Sequence, residues 1–134
     1  MTSILTNVLA TLTGAAVAVG TVTLVEYLGH QIYPPPTDLS LDGLKAYVAS
    51  APWQALAIVV AGWTLGAFLG AIVATAIART TLWPGLLVGA LITAGAAMNL
   101  TLIPHPLWMA ALGLLLPLPC AWLGARLTRT KAQN

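Results

Sequence analysis

Four apolar stretches, each about as long as a bilayer's hydrocarbon core is thick, leave this chain few ways to fold. A helix needs about twenty predominantly apolar residues to cross roughly 30 Å of hydrocarbon, and runs of that kind occupy residues 4–27, 53–77, 84–102 and 108–123. In lipid the backbone must satisfy its own polar groups, which makes each run a helix. Only 6% of the residues are charged and 59% are hydrophobic, against roughly 25% charged in soluble domains. The segments between the runs are too short to fold alone. The chain therefore reads as an all-α integral membrane protein. It is a single domain over residues 1–134, a four-transmembrane-helix bundle with a short amphipathic outer helix between spans 1 and 2.

The first span is expected to be retained. Met1-Thr2-Ser3 carries no basic residue, and the apolar run continues past the small residues at 15–18, unlike a cleaved signal. Cys120 is the lone cysteine, so neither an intrachain disulfide nor paired-cysteine chemistry is available.

Basic residues of short loops stay on the cytoplasmic side. Arg79 lies between spans 2 and 3, and Arg126, Arg129 and Lys131 follow span 4, whereas Lys45 shares the other side with Asp38 and Asp42. Both termini are then cytoplasmic, with residues 31–52 and 103–106 outside, in what reads as a bacterial inner membrane. Aromatic residues prefer the two interfaces. Tyr27, Tyr33, Tyr47, Trp53 and Trp108 fall at the outer boundary and Trp83 and Trp122 at the inner one; Trp63, mid-span, reads as a packing residue. The net charge of +2 describes topology. No basic stripe mixed with aromatics exists, so the partner is the lipid bilayer and no nucleic acid is expected.

The outer connection has its own grammar. Pro34-Pro35-Pro36 ends the first helix at or before Tyr33. Asp38 or Ser40 caps a new helix, in which Leu41, Leu44 and Val48 recur at i, i+3 and i+7. About ten residues long, it lies on the membrane surface or lids the bundle, and Pro52 opens the first turn of span 2.

Close packing through small residues drives helix association in lipid. Span 2 carries Gly62, Gly66, Gly70, Ala74 and Ala78 in an unbroken four-residue repeat; span 1 offers Gly14 and Ala18, and span 3 Gly85, Gly89, Thr93 and Ala97. The smooth face of span 2 is expected to meet another span of the same bundle, with a second subunit, and hence a homo-oligomer, as the alternative. Pro117 and Pro119 are expected to kink span 4.

Candidate chemistry gathers at the outer side. Glu26 and His30 share a helix face one turn apart, and an ionisable residue at the edge of a span usually faces a partner or a wet cavity. His105, in the turn after span 3, has the same depth. The expected pocket comprises Glu26, His30, His105, Asn99, Tyr27 and Trp108. Three readings of it compete. It binds or transports a small-molecule, lipid or other lipophilic solute, coupled to protons that Glu26 exchanges and His30 tunes. It belongs to a structural or accessory subunit whose polar cluster only ties helices together. Or Glu26, His30 and His105 hold a transition metal: zinc or iron, copper with Met98 and Met109 as soft ligands, or a haem between the two histidines. No His-Glu-x-x-His, Gly-x-Ser-x-Gly or phosphate-loop motif occurs, and no catalytic residue is assigned.

In its size, four spans and a carboxylate in span 1, the chain is loosely similar to the small multidrug-resistance exporters, in which a mid-span glutamate alternately binds proton and drug. Here Glu26 stands near the outer end of its span, followed by His30 and three prolines, and none of the other span motifs of that family is present. The likeness therefore carries no function across.

Overall fold

The computed structural model describes the backbone of residues 2–133 and the side chains of residues 3–129; Lys131, counted with the basic tail, lies outside the described side chains. The protein is an all-α membrane bundle. Its helices are α1 (Thr2–Ile32), α2 (Leu41–Ser50), α3 (Trp53–Ala78), α4 (Trp83–Leu102), α5 (Leu107–Leu115) and α6 (Pro117–Gln133). Four segments are long and apolar enough to cross a membrane: Ser3–Ile32, Trp53–Ala78, Trp83–Leu102 and Leu107–Arg129. α1 runs five residues past the expected end of span 1, because nothing breaks it before the prolines; its last turn closes with Tyr33 N–H on the Gly29 carbonyl at 2.8 Å.

The fourth span is two helices. Pro117 and Pro119 have no N–H for the carbonyls of Gly113 and Leu115, and the helix breaks at Leu116, where α5 hands over to α6. The expected kink is present. Pro52 sits one position earlier than expected, as the N-cap of α3 rather than inside its first turn.

α3 is the central helix, touching α1, α4, α5 and α6. Its small-residue face meets α1. A side chain added at Gly70 would come 2.5 Å from the Gly14 carbonyl oxygen, and one at Gly66 2.8 Å from that of Ala18. The two backbones thus touch almost directly, the contact that lets dispersion hold helices together in lipid. α4 closes on α3 and α6 through Gly85, against Thr75 and Ala125. These contacts make α1 antiparallel to α3 and parallel to α4. Arg79, Arg126 and Arg129 consequently share the end at which α1 begins, while Glu26, His30 and His105 lie at the other.

The core changes character along the bundle. Towards the arginine end it is built of Ala67, Ala71, Ala121 and Ala125, with Ala18, Ala74 and Val88 beside them. Towards the other end it is bulky, with Leu56, Val60, Trp63, Ala96 and Met109. Trp63 is a packing residue, as expected. Its indole ring fills the notch left by Gly113 of α5, where a Cβ would stand 2.6 Å from the ring. Outside, Leu12, Leu24, Leu91 and Leu115 are each more than half exposed; in a bilayer that surface faces acyl chains.

Candidate functional site

Glu26 owes its position to the length of α1. Gly14 of α1 lies against Val88 of α4, a Cβ there being 3.0 Å from Val88 Cγ2. At 1.5 Å per residue, Glu26 stands about 18 Å beyond Gly14 and the last residue of α4 about 21 Å beyond Val88. Glu26 therefore stands about 3 Å short of the depth at which α4 ends.

There the α1–α3 seam opens into a pocket lined by Glu26, Gly29, His30 and Tyr33 of α1, Tyr47 of α2, and Ala55, Leu56, Ile58 and Val59 of α3. Gly29 is buried and lets Ile58 reach the α1 backbone, a Cβ at Gly29 being 2.7 Å from Ile58 Cγ2. That contact floors the pocket. Its polar groups are the Glu26 carboxyl, the His30 imidazole in electrostatic contact with it, and two tyrosines. Counted as room for the centre of a water molecule, its volume is about 40 Å³. One water needs roughly 10–15 Å³ by that measure, and drug-sized ligands need sites of roughly 300–1,000 Å³. The pocket accommodates a few waters or a small ion and excludes a drug-sized solute.

The roof is α2. Ser40 caps it, accepting the Gly43 N–H at 3.1 Å, and Asp38 braces the cap by accepting the Ser40 N–H at 2.9 Å. Both expected capping residues therefore act, one on the helix and one on the cap. That hydrogen bond holds the Asp38 carboxyl below the usual carboxylate range. No residue of α2 is buried, so it rests on the bundle rather than locking into it. Asp38 and Asp42 are exposed and do not line the pocket.

The remaining expected members are elsewhere. Tyr27 points away from the pocket, 61% exposed, and Asn99 is exposed on α4. Trp108 packs on the bulky core and edges a lateral groove between α3 and the broken fourth span. The Nδ1 of His105 is 2.6 Å from the Ile103 carbonyl oxygen; a carbonyl has no proton to give, so the ring donates, and the imidazole is tied to its own turn. Among the described residues no three of His, Cys, Asp or Glu come together as a metal site. The Glu26–His30–His105 ligand set is not assembled around one ion. Of the two methionines offered as soft ligands, Met98 is 64% exposed and Met109 is fully buried in the core.

Sequence reasoning missed Tyr33, Tyr47 and the α3 wall. Tyr33 was recoverable, since residues 26, 30 and 33 stand at i, i+4 and i+7 on one face. Tyr47 was not, because nothing local says how α2 lies. Comparison with protein-family models, with curated proteins and with solved structures finds no match for the chain.

Proposed function

We propose that this membrane bundle is a proton-coupled binder or carrier of a small solute, in which Glu26 exchanges a proton with water held in the pocket and His30 tunes the exchange. What carries the reading is that the one carboxyl set within a span borders a space of about 40 Å³. A carboxyl that merely tied helices together would be enclosed by its partners. Ionisable groups in spans are expensive and characteristically mark proton or ion paths. The size of the space sharpens the solute class: a water-sized pocket suits a proton, a water or a small ion. A lipophilic solute would have to use the lateral grooves, the one between α3 and the fourth span having about 560 Å³. Arg79, Arg126 and Arg129 at the opposite end favour, by the positive-inside bias, cytoplasmic termini and an outward-facing pocket, which we assign to a bacterial inner membrane.

The test is proton flux into liposomes holding the purified protein and an internal pH dye, driven by a potassium diffusion potential. Wild type should acidify the lumen faster than Glu26→Gln, and His30→Ala should shift the pH dependence of the rate. Equal rates for wild type and Glu26→Gln, with a lower melting temperature for the variant, would favour the helix-tying role instead.

A further inference from the structure

The end of the bundle opposite the pocket carries a feature that neither packing nor the proton reading requires. α3 ends with the Arg79 N–H on the Thr75 carbonyl at 2.9 Å, and one residue later the Thr80 N–H turns back to the Ala78 carbonyl at 2.7 Å. That three-residue loop puts Arg79 at φ 63°, ψ −41°, the γ-turn of positive central φ, which is rare and strained. Among the described residues Arg79 is the one non-glycine with positive φ. Glycine would adopt the turn without the penalty. Strain of this kind persists only where the surrounding structure over-determines it, and it clusters at ligand clamps and other functional sites.

Arg79 opens onto a cavity of about 660 Å³, lined by Ser3, Thr6 and Asn7 of α1, by Thr80, and by the apolar wall of residues 76–78. Asn7 also belongs to a groove between α1 and α4 of about 390 Å³, otherwise lined mainly by apolar side chains such as Ile4, Val8, Leu12 and Leu87. From the Gly14–Val88 contact, Asn7 lies about 10 Å and Trp83 about 8 Å towards this end. Trp83 is 70% exposed, where an indole sits among headgroups. This open hollow, part polar and part apolar, is thus at headgroup depth, and the groove runs from it along the hydrocarbon. No acidic side chain competes: Glu26, Asp38 and Asp42 are the chain's acidic residues, and all stand at the other end. A guanidinium is the side chain best suited to a phosphate diester, presenting several N–H donors in a planar fork.

We infer that this cavity and groove bind an anionic phospholipid, its phosphate on the Arg79 guanidinium beside Asn7 and Thr80, and one acyl chain in the α1–α4 groove. The site is independent of Glu26.

The test is native mass spectrometry of the detergent-purified protein given equal amounts of phosphatidylglycerol and phosphatidylcholine. Wild type should retain phosphatidylglycerol preferentially by about fivefold, the discrimination expected of one basic residue at an anionic lipid surface. Arg79→Gln should bring the two lipids to equal retention, and Arg79→Lys should keep part of the preference. Arg79→Gly separates binding from folding: relieved of strain, it should melt at or above the wild-type temperature and still lose the preference. Arg126→Gln should not change it, because that guanidinium is engaged 5.0 Å above the Trp122 ring. The inference is overturned if Arg79→Gln and Arg79→Gly keep the preference, if Arg126→Gln alone removes it, or if millimolar inorganic phosphate displaces the lipid, which would make the cavity a simple anion site.

Discussion

The same two helices, α1 and α3, are fused along most of their length and parted at one end. Added side chains measure the change: at Gly70 the nearest atom would be 2.5 Å away and at Gly66 2.8 Å, both carbonyl oxygens of α1, whereas at Gly62 it would be Val25 Cγ1 at 3.4 Å, ordinary van der Waals contact. One turn farther the α3 residues are Ile58 and Val59, and the water-sized pocket under Glu26 begins. The small-residue repeat is a wedge-shaped seam. Where it stops, bulky side chains hold the backbones apart, and the space between them is where a carboxyl can meet water.

Substitution along the seam tests that gradient. Gly70→Ala should be the most damaging, because its methyl meets the Gly14 carbonyl, Ala18 and Val88 together and neither backbone can yield without separating the helices. Overpacking of that kind costs about 1–3 kcal/mol or more. Gly66→Ala should cost somewhat less, since one of its two close contacts is the Val22 side chain. Gly62→Ala should be neutral or slightly stabilising, alanine recovering up to about 1 kcal/mol of helix propensity. Melting temperatures in detergent, in the order Gly70→Ala, Gly66→Ala, Gly62→Ala from lowest to highest, are expected; any inversion removes the wedge.

At the open end the expected effect is on the pocket and not on stability. Tyr47→Ala enlarges the space beside Glu26 and takes away a wall from a helix with no buried residue. The melting temperature should stay within about 2–4 °C of wild type, the shift expected for 1 kcal/mol or less in a chain of this size, while the pH dependence of proton flux changes. A loss of several kcal/mol would mean that α2 is an integral part of the bundle, and the contrast between a tight seam and a loosely roofed pocket would fail.

The spans, the outer helix, its caps and the small-residue face were all legible in the sequence, because each is written in local chemistry: apolar run length, Ser40 beside Asp38, glycine every fourth residue. The partner of that face followed from economy, a compact bundle consuming its own smooth surface. What the sequence could not convey was rotation. His105 has the depth of His30, and depth is set by counting residues, but facing the same pocket depends on how each helix is turned about its axis and on a turn that ties the imidazole to the Ile103 carbonyl. Trp63 makes the same point. Its fit against Gly113 depends on the register of a fourth span that Pro117 and Pro119 divide in two, and no pattern within span 2 records that register.

The smallest expected effect lies at the rim of the open end, and its sign follows from one hydrogen bond. Asp38 accepts the Ser40 N–H, which favours the carboxylate and lowers its pKa from an ordinary 3.8. A depressed pKa contributes stability that is complete above the unfolded-state value and is lost as the pH falls through the folded one. The cap of α2 should therefore be intact at neutral pH and loosen only in acid, below pH 3.8. The Ser40 amide resonance, followed by NMR in detergent, should titrate in that acid range, and Asp38→Asn should abolish the titration. Global melting at neutral pH should be insensitive to the substitution, since Asp38 is exposed and no residue of α2 is fully buried. A Ser40 amide that titrates at or above the ordinary carboxylate value would mean that the brace is absent in solution. The roof would then be held by Val48, which packs against the bulky core, and the open end would be closer in character to the seam than the structure implies.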